Sequence, residues 1–257
     1  MRAALIGYTG FVGSNLDTQY EFSDKYNSKN FHDMEGQQYD LVVCAGVSAV
    51  KWMANKEPEQ DLENITSLKA VLKTISASRF VLISTIDVYP IIEKIDEDFD
   101  CHSIENHPYG LHRLELEGYC LELFEKCLFV RLPGLFGKGL KKNVIYDLLN
   151  DNCLDMINVN SSIQYYYLKL LWLDISLALD KGIKLLNLFT APLTTNEIVN
   201  NFFPEKKIGG KEVPAIFYDL KSKYDYLWGK KLGYIYDKEE VLRQLQEFVN
   251  DYRGLSK

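Results

Sequence analysis

The chain contains no apolar run approaching the length of a membrane span, so a membrane protein is not expected. It is short of basic residues: 29 Lys and Arg stand against 36 Asp and Glu, for a net charge of −7. That balance removes the electrostatic footprint of a nucleic-acid binder. The pairs Lys141-Lys142, Lys206-Lys207 and Lys230-Lys231 are separate and read as solvated surface. The five cysteines, Cys44, Cys101, Cys120, Cys127 and Cys153, are odd in number and include no Cys-x-x-Cys pair. They read as the reduced thiols of a cytoplasmic protein. The four histidines show no metal-ligand spacing, so no metal is expected. Internal repeats and low-complexity linkers are lacking. Met1-Arg2-Ala3 runs directly into an apolar stretch, leaving no room for a signal peptide. What remains is an ordinary globular composition, 47% hydrophobic over 257 residues, enough for a large core with an appendage or for two small domains.

One stretch organises the rest: Ala3-Ala4-Leu5-Ile6-Gly7-Tyr8-Thr9-Gly10-Phe11-Val12-Gly13-Ser14-Asn15-Leu16. Four apolar residues read as a buried strand, and Gly7, Gly10 and Gly13 follow at a spacing of three. Phe11, Val12 and Leu16 then give the apolar face of a starting helix. In a strand–turn–helix of this kind the first glycine makes the turn, the second lets a pyrophosphate approach the backbone, and the third lets helix and strand pack closely. The first-turn N–H groups and the helix dipole favour an anion there. A βα turn without a ligand is the competing reading.

Further along, Tyr20-Glu21-Phe22-Ser23 reads as a second strand ending near Asn27 to Asn30. The end of strand two selects the adenosine ribose in such folds. With no carboxylate after Asp24, Asn27, Ser28 and Lys29 occupy that place and favour NADP over NAD. Loop residues facing water are the alternative. Asp40 to Gly46 is an apolar strand ending in small residues, Ala45 and Gly46. Residues 57–78 read as a helix carrying Asn64. Phe80 to Tyr89 begins as a buried strand and turns polar at Ser84-Thr85, which is where open α/β sheets bind ligands. Pro108 opens a helix on which Tyr109 and Arg113, four apart, share a face. Leu128 to Gly137 is a strand running into Pro133-Gly134. Gln164 to Leu168 and Leu185 to Leu188 read as strands, the latter in the main sheet. Leu173 to Asp180 and Lys238 to Tyr252 read as helices, and Thr194 or Asn196 as a helix cap.

The Gly-x-x-Gly-x-x-Gly turn, the Ala45-Gly46 strand end, Ser84-Thr85-x-x-Val88-Tyr89 and Tyr109-x-x-x-Arg113 together resemble the extended short-chain dehydrogenase/reductase family of nucleotide-sugar epimerases, dehydratases and reductases. The resemblance implies an α/β fold, a Rossmann-type doubly wound parallel sheet with a small C-terminal substrate-binding region. The expected division is a dinucleotide-binding domain over 1–135, with 165–190 returning to it, and a substrate region over 136–164 and 191–257. It implies a dinucleotide lined by Gly7, Thr9, Gly10, Phe11, Val12, Gly13, Asn27, Ser28, Lys29, Ala45, Gly46, Asn64, Tyr109, Arg113, Pro133 and Gly134. Asn64 is expected to take a buried hydrogen-bonding role, with an exposed side chain as the alternative.

By the same resemblance Thr85, Tyr109 and Arg113 form the catalytic set. Tyr109 passes a proton, Thr85 orients the substrate carbonyl, and Arg113 stands where the family places lysine. A fixed cation beside a phenol, together with the positive nicotinamide, favours the phenolate and lowers its pKa; Arg113 is expected to supply that charge and to hold the ribose. Unlike lysine it cannot release a proton. In a chain with 17 tyrosines, a half-buried aromatic is the competing reading of Tyr109. The family's 4,6-dehydratases carry Asp and Glu after the hydroxyl residue. Ile86 and Asp87 stand there instead, which speaks against dehydration. Asp87 and Asn143, with Thr85, are candidate substrate contacts. The resemblance thus implies an NAD(P)-dependent reductase or epimerase acting on a keto carbon of a nucleotide-linked sugar. Its partner is a small molecule rather than nucleic acid or a membrane, and a homodimer is allowed for. An NAD(P)-binding sensor or scaffold without turnover is the alternative, kept open by Arg113. A hydrolase has no nucleophile motif to support it.

Overall fold

The apolar runs at the glycine stretch, at Leu41, at Phe80 and at Cys127 all become buried strands of one sheet. The structure is a computed structural model that describes residues 1–255. The chain forms two compact units. The first holds Met1–Pro90, Phe99–Leu132 and Lys169–Leu186; the second holds Ile91–Asp98, Pro133–Leu168 and the chain from Asn187 onward.

Six strands build the first unit: β1 (Ala3–Ile6), β2 (Asp24–Tyr26), β3 (Leu41–Cys44), β4 (Phe80–Thr85), β5 (Cys127–Leu132) and β6 (Leu185–Asn187). Their order across the sheet is β6-β5-β4-β3-β1-β2. Pairing is parallel between β1 and β2, β1 and β3, β3 and β4, and β4 and β5. After β1 the chain lays β2 on one side and β3 on the other, so the winding reverses between β1 and β3. That reversal is the switch point of a doubly wound sheet, outside whose strand ends ligands bind. The Rossmann-type α/β fold expected from the sequence is the one the chain adopts.

The helices of this unit are α1 (Phe11–Asp17), α2 (Lys51–Lys56), α3 (Pro58–Leu72), α4 (Pro108–Leu123) and α5 (Leu171–Asp180). Alternate strand residues point to one face. Ala4, Ile6, Val42, Cys44, Phe80, Leu82, Cys127 and Phe129 meet Ile65, Leu68, Val71 and Leu72 of α3 and Leu116 and Cys120 of α4 in one buried cluster. Phe80 stacks on Phe124 with ring centroids 4.1 Å apart. Each such fully buried large side chain stabilises the fold by about 1.5–3 kcal/mol relative to its exposed state. The pattern is near-continuously apolar because both faces of the sheet are covered.

Two boundaries differ from expectation. The second strand is Asp24–Tyr26 rather than Tyr20–Ser23. Tyr20 and Phe22 are instead drawn into an aromatic cluster, with the Tyr20 ring 4.1 Å from Trp172 and 4.9 Å from Phe22. The helix expected to reach residue 78 ends at Leu72. Thr74 Oγ1 donates to the Val71 carbonyl at 2.8 Å, a local side-chain bond that competes with helix continuation. Ser76–Ala77 then pairs in parallel with Gln38–Tyr39 as a separate ribbon.

Among the described residues the second unit contains short strands and three α-helices, Val144–Asn150, Thr195–Phe202 and Lys238–Tyr252. Gly134–Phe136 pairs in parallel with Tyr165–Tyr167, and Ser162–Ile163 pairs antiparallel with Leu193–Thr194. Thr194 with Glu197 and Asp237 with Glu240 form capping boxes that start the last two helices. Ile91–Asp98 is held into this unit by Glu97. Its buried carboxylate accepts from Asn187 N at 2.8 Å, Ser222 Oγ at 2.7 Å and Lys223 N at 2.8 Å. Burial pushes the Glu97 pKa up against those hydrogen bonds.

Two glycines of the opening stretch are fixed by geometry. Gly7 sits at φ +85°, and a Cβ there would lie 2.4 Å from the Ala45 carbonyl oxygen. A Cβ on Gly13 would lie 2.0 Å from the Gly7 carbonyl oxygen. By contrast, nothing lies within 4 Å of a Cβ built on Gly118, inside α4. Gly13→Ala is therefore expected to lower unfolding free energy by more than about 2 kcal/mol. Gly118→Ala is expected to raise it by about 0.5–1 kcal/mol. Urea titration of both variants checks the contrast, and equal midpoints would contradict it.

Candidate active site

The glycine turn, Asn27 to Lys29, Ala45-Gly46 and Thr85 stand at the C-terminal ends of β1, β2, β3 and β4. After β1, Gly7 N donates to the Tyr26 carbonyl at 2.7 Å, and Gly10 N donates to the Gly7 carbonyl at 2.9 Å. Gly10 is the N-cap of α1 and offers no side-chain cap, so the first N–H groups of α1 lack the usual intrahelical or side-chain acceptor. Thr9 and Gly10 are exposed; Phe11 and Val12 are half-buried. Ala45, following β3, is tied to Ile6 O through its N–H at 2.9 Å.

At the end of β2, Asn27 accepts from Lys29 N at 2.9 Å through Oδ1, and its amide donates to the Tyr8 hydroxyl at 3.2 Å. Ser28 and Lys29 are exposed just beyond. Asp24 lies at the start of β2, and Arg2 holds its two oxygens at 2.9 and 3.1 Å. A carboxylate thus engaged at the far end of the strand is not the one that selects a ribose at its C-terminal end.

Tyr109 sits in the first turn of α4. His107 caps this helix, its Nδ1 accepting from Gly110 N at 3.0 Å, and Pro108 occupies the first turn. The Tyr109 N–H donates to Asn55 Oδ1 of α2 at 3.0 Å. Its ring is buried, with the Arg113 guanidinium carbon 3.8 Å from the ring centroid. The Thr85 hydroxyl donates to Asp87 Oδ2 at 3.3 Å. Thr85 Oγ1 also accepts from Asp87 N at 3.1 Å. Burial raises the Tyr109 pKa above its ordinary value, and the negative charge of Asp87 adds to that. Arg113 and the Thr85 hydrogen bond pull it down but do not overcome burial. Arg113 thus acts in the expected direction, and burial outweighs it.

Arg113 is itself held. Its Nη1 donates to Asp61 Oδ2 at 2.6 Å and to Tyr109 O at 3.1 Å; its Nη2 donates to Asp61 Oδ1 at 2.8 Å and to Ser48 O at 2.7 Å. Guanidinium and carboxylate form a buried fork, a geometry a lysine could not reproduce. His112 Nδ1 lies 2.8 Å from the same carboxylate. Ser48 follows Gly46 by two residues, and Gly46 packs against Gly7. A continuous set of contacts therefore links the Tyr109 helix to the glycine turn within the first unit.

Asp61 is the residue the sequence reading passed over. It lies on the helix face that periodicity marks as buried, and a carboxylate on such a face is the signal that it is paired. Asn64, expected to be buried and hydrogen-bonded, is exposed; the buried polar role on α3 belongs to Asp61, almost one turn earlier. A second buried pair was equally silent in the sequence. Arg131 of β5 donates to Glu117 of α4 at 3.1 and 2.6 Å, and Ser84 Oγ donates to Glu117 Oε1 at 2.5 Å.

The remaining expected residues lie in the second unit. A Cβ on Gly134 would approach Gln164 O to 2.9 Å, so close packing of Tyr165–Tyr167 accounts for that glycine; Pro133 is buried beside it. Asn143 caps the helix Val144–Asn150 at φ 108°, accepting from Tyr146 N at 3.1 Å and donating to Leu135 O at 2.8 Å. Both ends of its amide are thus used within the fold.

A depression of about 460 Å³ opens at the other end of the sheet, lined by Arg2, Gln38, Tyr39, Asp40 and Ser76 to Ser78. It lies at the N-terminal strand ends, away from Tyr109, where such sheets do not place their ligands. Among the described residues no group of His, Cys, Asp and Glu is arranged to hold a metal, and no helix is long and apolar enough to cross a membrane.

Solved structures share this architecture along the whole chain. UDP-glucose 4-epimerase from Thermotoga maritima, solved with UDP-glucose, superposes with a TM-score of 0.74 at 15% identity, covering 99% of each chain. RMD from Pseudomonas aeruginosa, complexed with NADPH, gives 0.74 at 16% identity, over 99% of this chain and 100% of that one. A dTDP-4-dehydrorhamnose reductase from Clostridium acetobutylicum gives 0.72 at 15%, over 98% and 100%. The chain has their fold. The resemblance to extended short-chain dehydrogenases/reductases therefore holds at the level of fold. No family model matches the sequence, and no curated protein matches it.

The Asp61 pair carries its own test. Burial raises the Asp61 pKa, but hydrogen bonds from Arg113 and His112 more than reverse this and leave it below the ordinary carboxylate value. A carboxylate depressed in the folded state contributes stability that is present above its unfolded pKa of about 3.9 and lost as pH falls through its folded value. Asp61→Ala is expected to cost about 3–5 kcal/mol at neutral pH, because Arg113 is left buried and unpaired. The variant should also lose less stability than wild type between neutral and acid pH. Denaturant unfolding at both pH values checks this; a variant as stable as wild type at neutral pH would contradict it.

Proposed function

We propose that this chain is an NAD(P)-dependent reductase or epimerase acting on a keto carbon of a nucleotide-linked sugar. The observation that carries the reading is the buried, protonated Tyr109 phenol beside the Thr85 hydroxyl, linked through Arg113, Ser48 and Gly46 to the glycine turn. The fold it shares with an NADPH complex, a UDP-glucose complex and a 4-keto-sugar reductase supports the cofactor and the substrate class.

The opening turn suits a dinucleotide. Gly7, Thr9, Gly10, Phe11, Val12 and Gly13 would hold its pyrophosphate through uncapped backbone amides, with Ala45 and Gly46 beside it. Asn27, Ser28 and Lys29 would receive the adenosine ribose, and an exposed lysine there favours NADP. When bound, a nicotinamide supplies hydride chemistry. The chain's own contribution is proton handling. Tyr109 donates its phenol proton to the carbonyl oxygen as negative charge develops there, and the Thr85 hydroxyl hydrogen-bonds the same oxygen. Arg113 acts by charge on the phenol ring, its Nη donors being engaged with Asp61, Tyr109 O and Ser48 O rather than turned to a ribose. Ile86, buried and with no acidic group to donate a proton, stands where dehydratases carry an acid, so simple hydride transfer is the favoured chemistry. Asn64, Pro133, Gly134 and Asn143 are the least supported contacts, since exposure or packing already accounts for each.

A second reading, a dinucleotide-binding protein without turnover, draws on the same Arg113, whose guanidinium is locked and cannot release a proton. Following NADPH oxidation with UDP- and dTDP-linked 4-keto sugars separates the two. Tyr109→Phe is expected to lower turnover by about 10²–10⁴-fold while leaving NADPH affinity within about twofold. A Tyr109→Phe variant that turns over like wild type would overturn the catalytic role. NADPH binding with neither reduction of any keto sugar nor interconversion of epimeric nucleotide sugars would favour the second reading.

A further inference from the structure

Lysine in the family's tyrosine motif brings a compact, mobile cation to the phenol. Here that position is Arg113, and its charge is already shared with Asp61 in a buried fork. A second cation nevertheless approaches the same phenol from a different helix. Lys51 opens α2, and its Nζ lies 2.5 Å from Asp87 Oδ1. The other oxygen of Asp87 receives the Thr85 hydroxyl at 3.3 Å, and both groups act on the Tyr109 phenol, the carboxylate raising its pKa and the hydroxyl lowering it. The same short helix carries Asn55, which accepts from the Tyr109 backbone N–H at 3.0 Å. Exposure falls along the series: the side chain of Lys51 is 42% exposed and that of Asp87 is 16%, while Tyr109 is 6% exposed. A solvent-facing ammonium is thus connected stepwise to a buried phenol.

Resting on the function proposed above, we propose that Lys51 is a positioning residue for the proton chemistry of Tyr109: paired with Asp87, it neutralises the carboxylate that faces the phenol and fixes the Thr85 hydroxyl between them. The adjustable cation of the site has moved from the tyrosine's own helix to α2. No bond is made or broken in this role. The pair sets the electrostatic field in which Tyr109 gives up and regains its proton, and it sets which way Thr85 points.

The charged and titratable groups that face Tyr109 can be named from each element around it. On α4 and its N-cap they are Arg113 and the His107 ring, whose centroid is 6.3 Å from that of Tyr109. Past the end of β4 stands Asp87; on α2, Lys51; on α3, Asp61 acts through Arg113. Burial lowers the His107 pKa, Lys51 lowers it further, and Asp87 raises it. Asp87 raises the phenol's pKa, so a cation 2.5 Å from Asp87 must offset part of that effect.

The test uses the full-length protein without cofactor or substrate. Tyrosine is labelled with ¹³C at the ring carbon bearing oxygen, and the Tyr109 signal is assigned by its loss in Tyr109→Phe. Its titration midpoint is then measured by NMR in wild type, Lys51→Met, Lys51→Arg and Asp87→Asn. Lys51→Met, which leaves Asp87 uncompensated, is expected to raise the midpoint by about half a pH unit or more. Asp87→Asn is expected to lower it by a similar amount, into a range where the fold is under less alkaline stress. Lys51→Arg, retaining the charge, is expected to stay within about 0.2 units of wild type. A midpoint unmoved in Asp87→Asn and in Lys51→Met overturns the inference, as does a rise in Lys51→Arg equal to that in Lys51→Met. Because the readout is ionisation rather than turnover, these outcomes stand apart from the fate of the proposed reaction, which falls if Tyr109→Phe turns over normally.

Discussion

The buried fork between Asp61 and Arg113 is the contact on which the rest of the site depends. It joins α3 to α4 and, through Ser48, ties α4 to the segment that leaves β3. Two charges taken out of water are tolerated only when geometry is good and remaining donors are satisfied. Both conditions hold, since His112 contacts the same carboxylate and Arg113 also reaches two backbone carbonyls. The pair holds the first turn of α4 in place, and Tyr109 is in that turn. A cation stacked on the phenol ring and fixed by a carboxylate cannot reorient, so it contributes a constant field.

A constant field has a consequence for the chemistry. Burial raises the Tyr109 pKa, and a protonated phenol is the donor that the proposed reduction requires. That suits delivery of a proton to a carbonyl oxygen as it becomes an alkoxide. Lys51 and Asp87 form the part of the surroundings that water can reach. The second buried pair, Arg131 with Glu117, braces the same helix from β5, with Ser84 completing it. Two ion pairs on one helix, at its start and its middle, explain why α4 carries four buried polar or charged residues among its apolar ones without loss of packing: His112, Arg113, Glu117 and the Tyr109 phenol.

The sheet was legible in the sequence because its strands are buried on both faces and read as continuous apolar runs. The glycine turn was legible because steric limits at Gly7 and Gly13 leave no other residue type open. The last helix could be bounded to its first and last residues, since Asp237 and Glu240 cap it and its apolar stripe is clean. Strand β2 was misplaced because its three residues, Asp24 to Tyr26, carry no alternation, while aromatic Tyr20 and Phe22 imitate one. The fork could not be read because Asp61 and Arg113 lie 52 residues apart, and nothing local marks a charge as destined for a distant partner. Lys51 was missed for the same reason: its meaning comes from Asp87, 36 residues on. Asn64 drew attention as a polar residue in a helix, yet the helix turns it to solvent and turns Asp61 inward.

A structure of the protein crystallised with NADPH tests the central claim most directly. The account predicts the pyrophosphate on the backbone amides that follow Gly10, with the nicotinamide ring against the Tyr109 hydroxyl and Thr85. Density for the dinucleotide elsewhere, or a ring separated from Tyr109 by packed side chains, would contradict it.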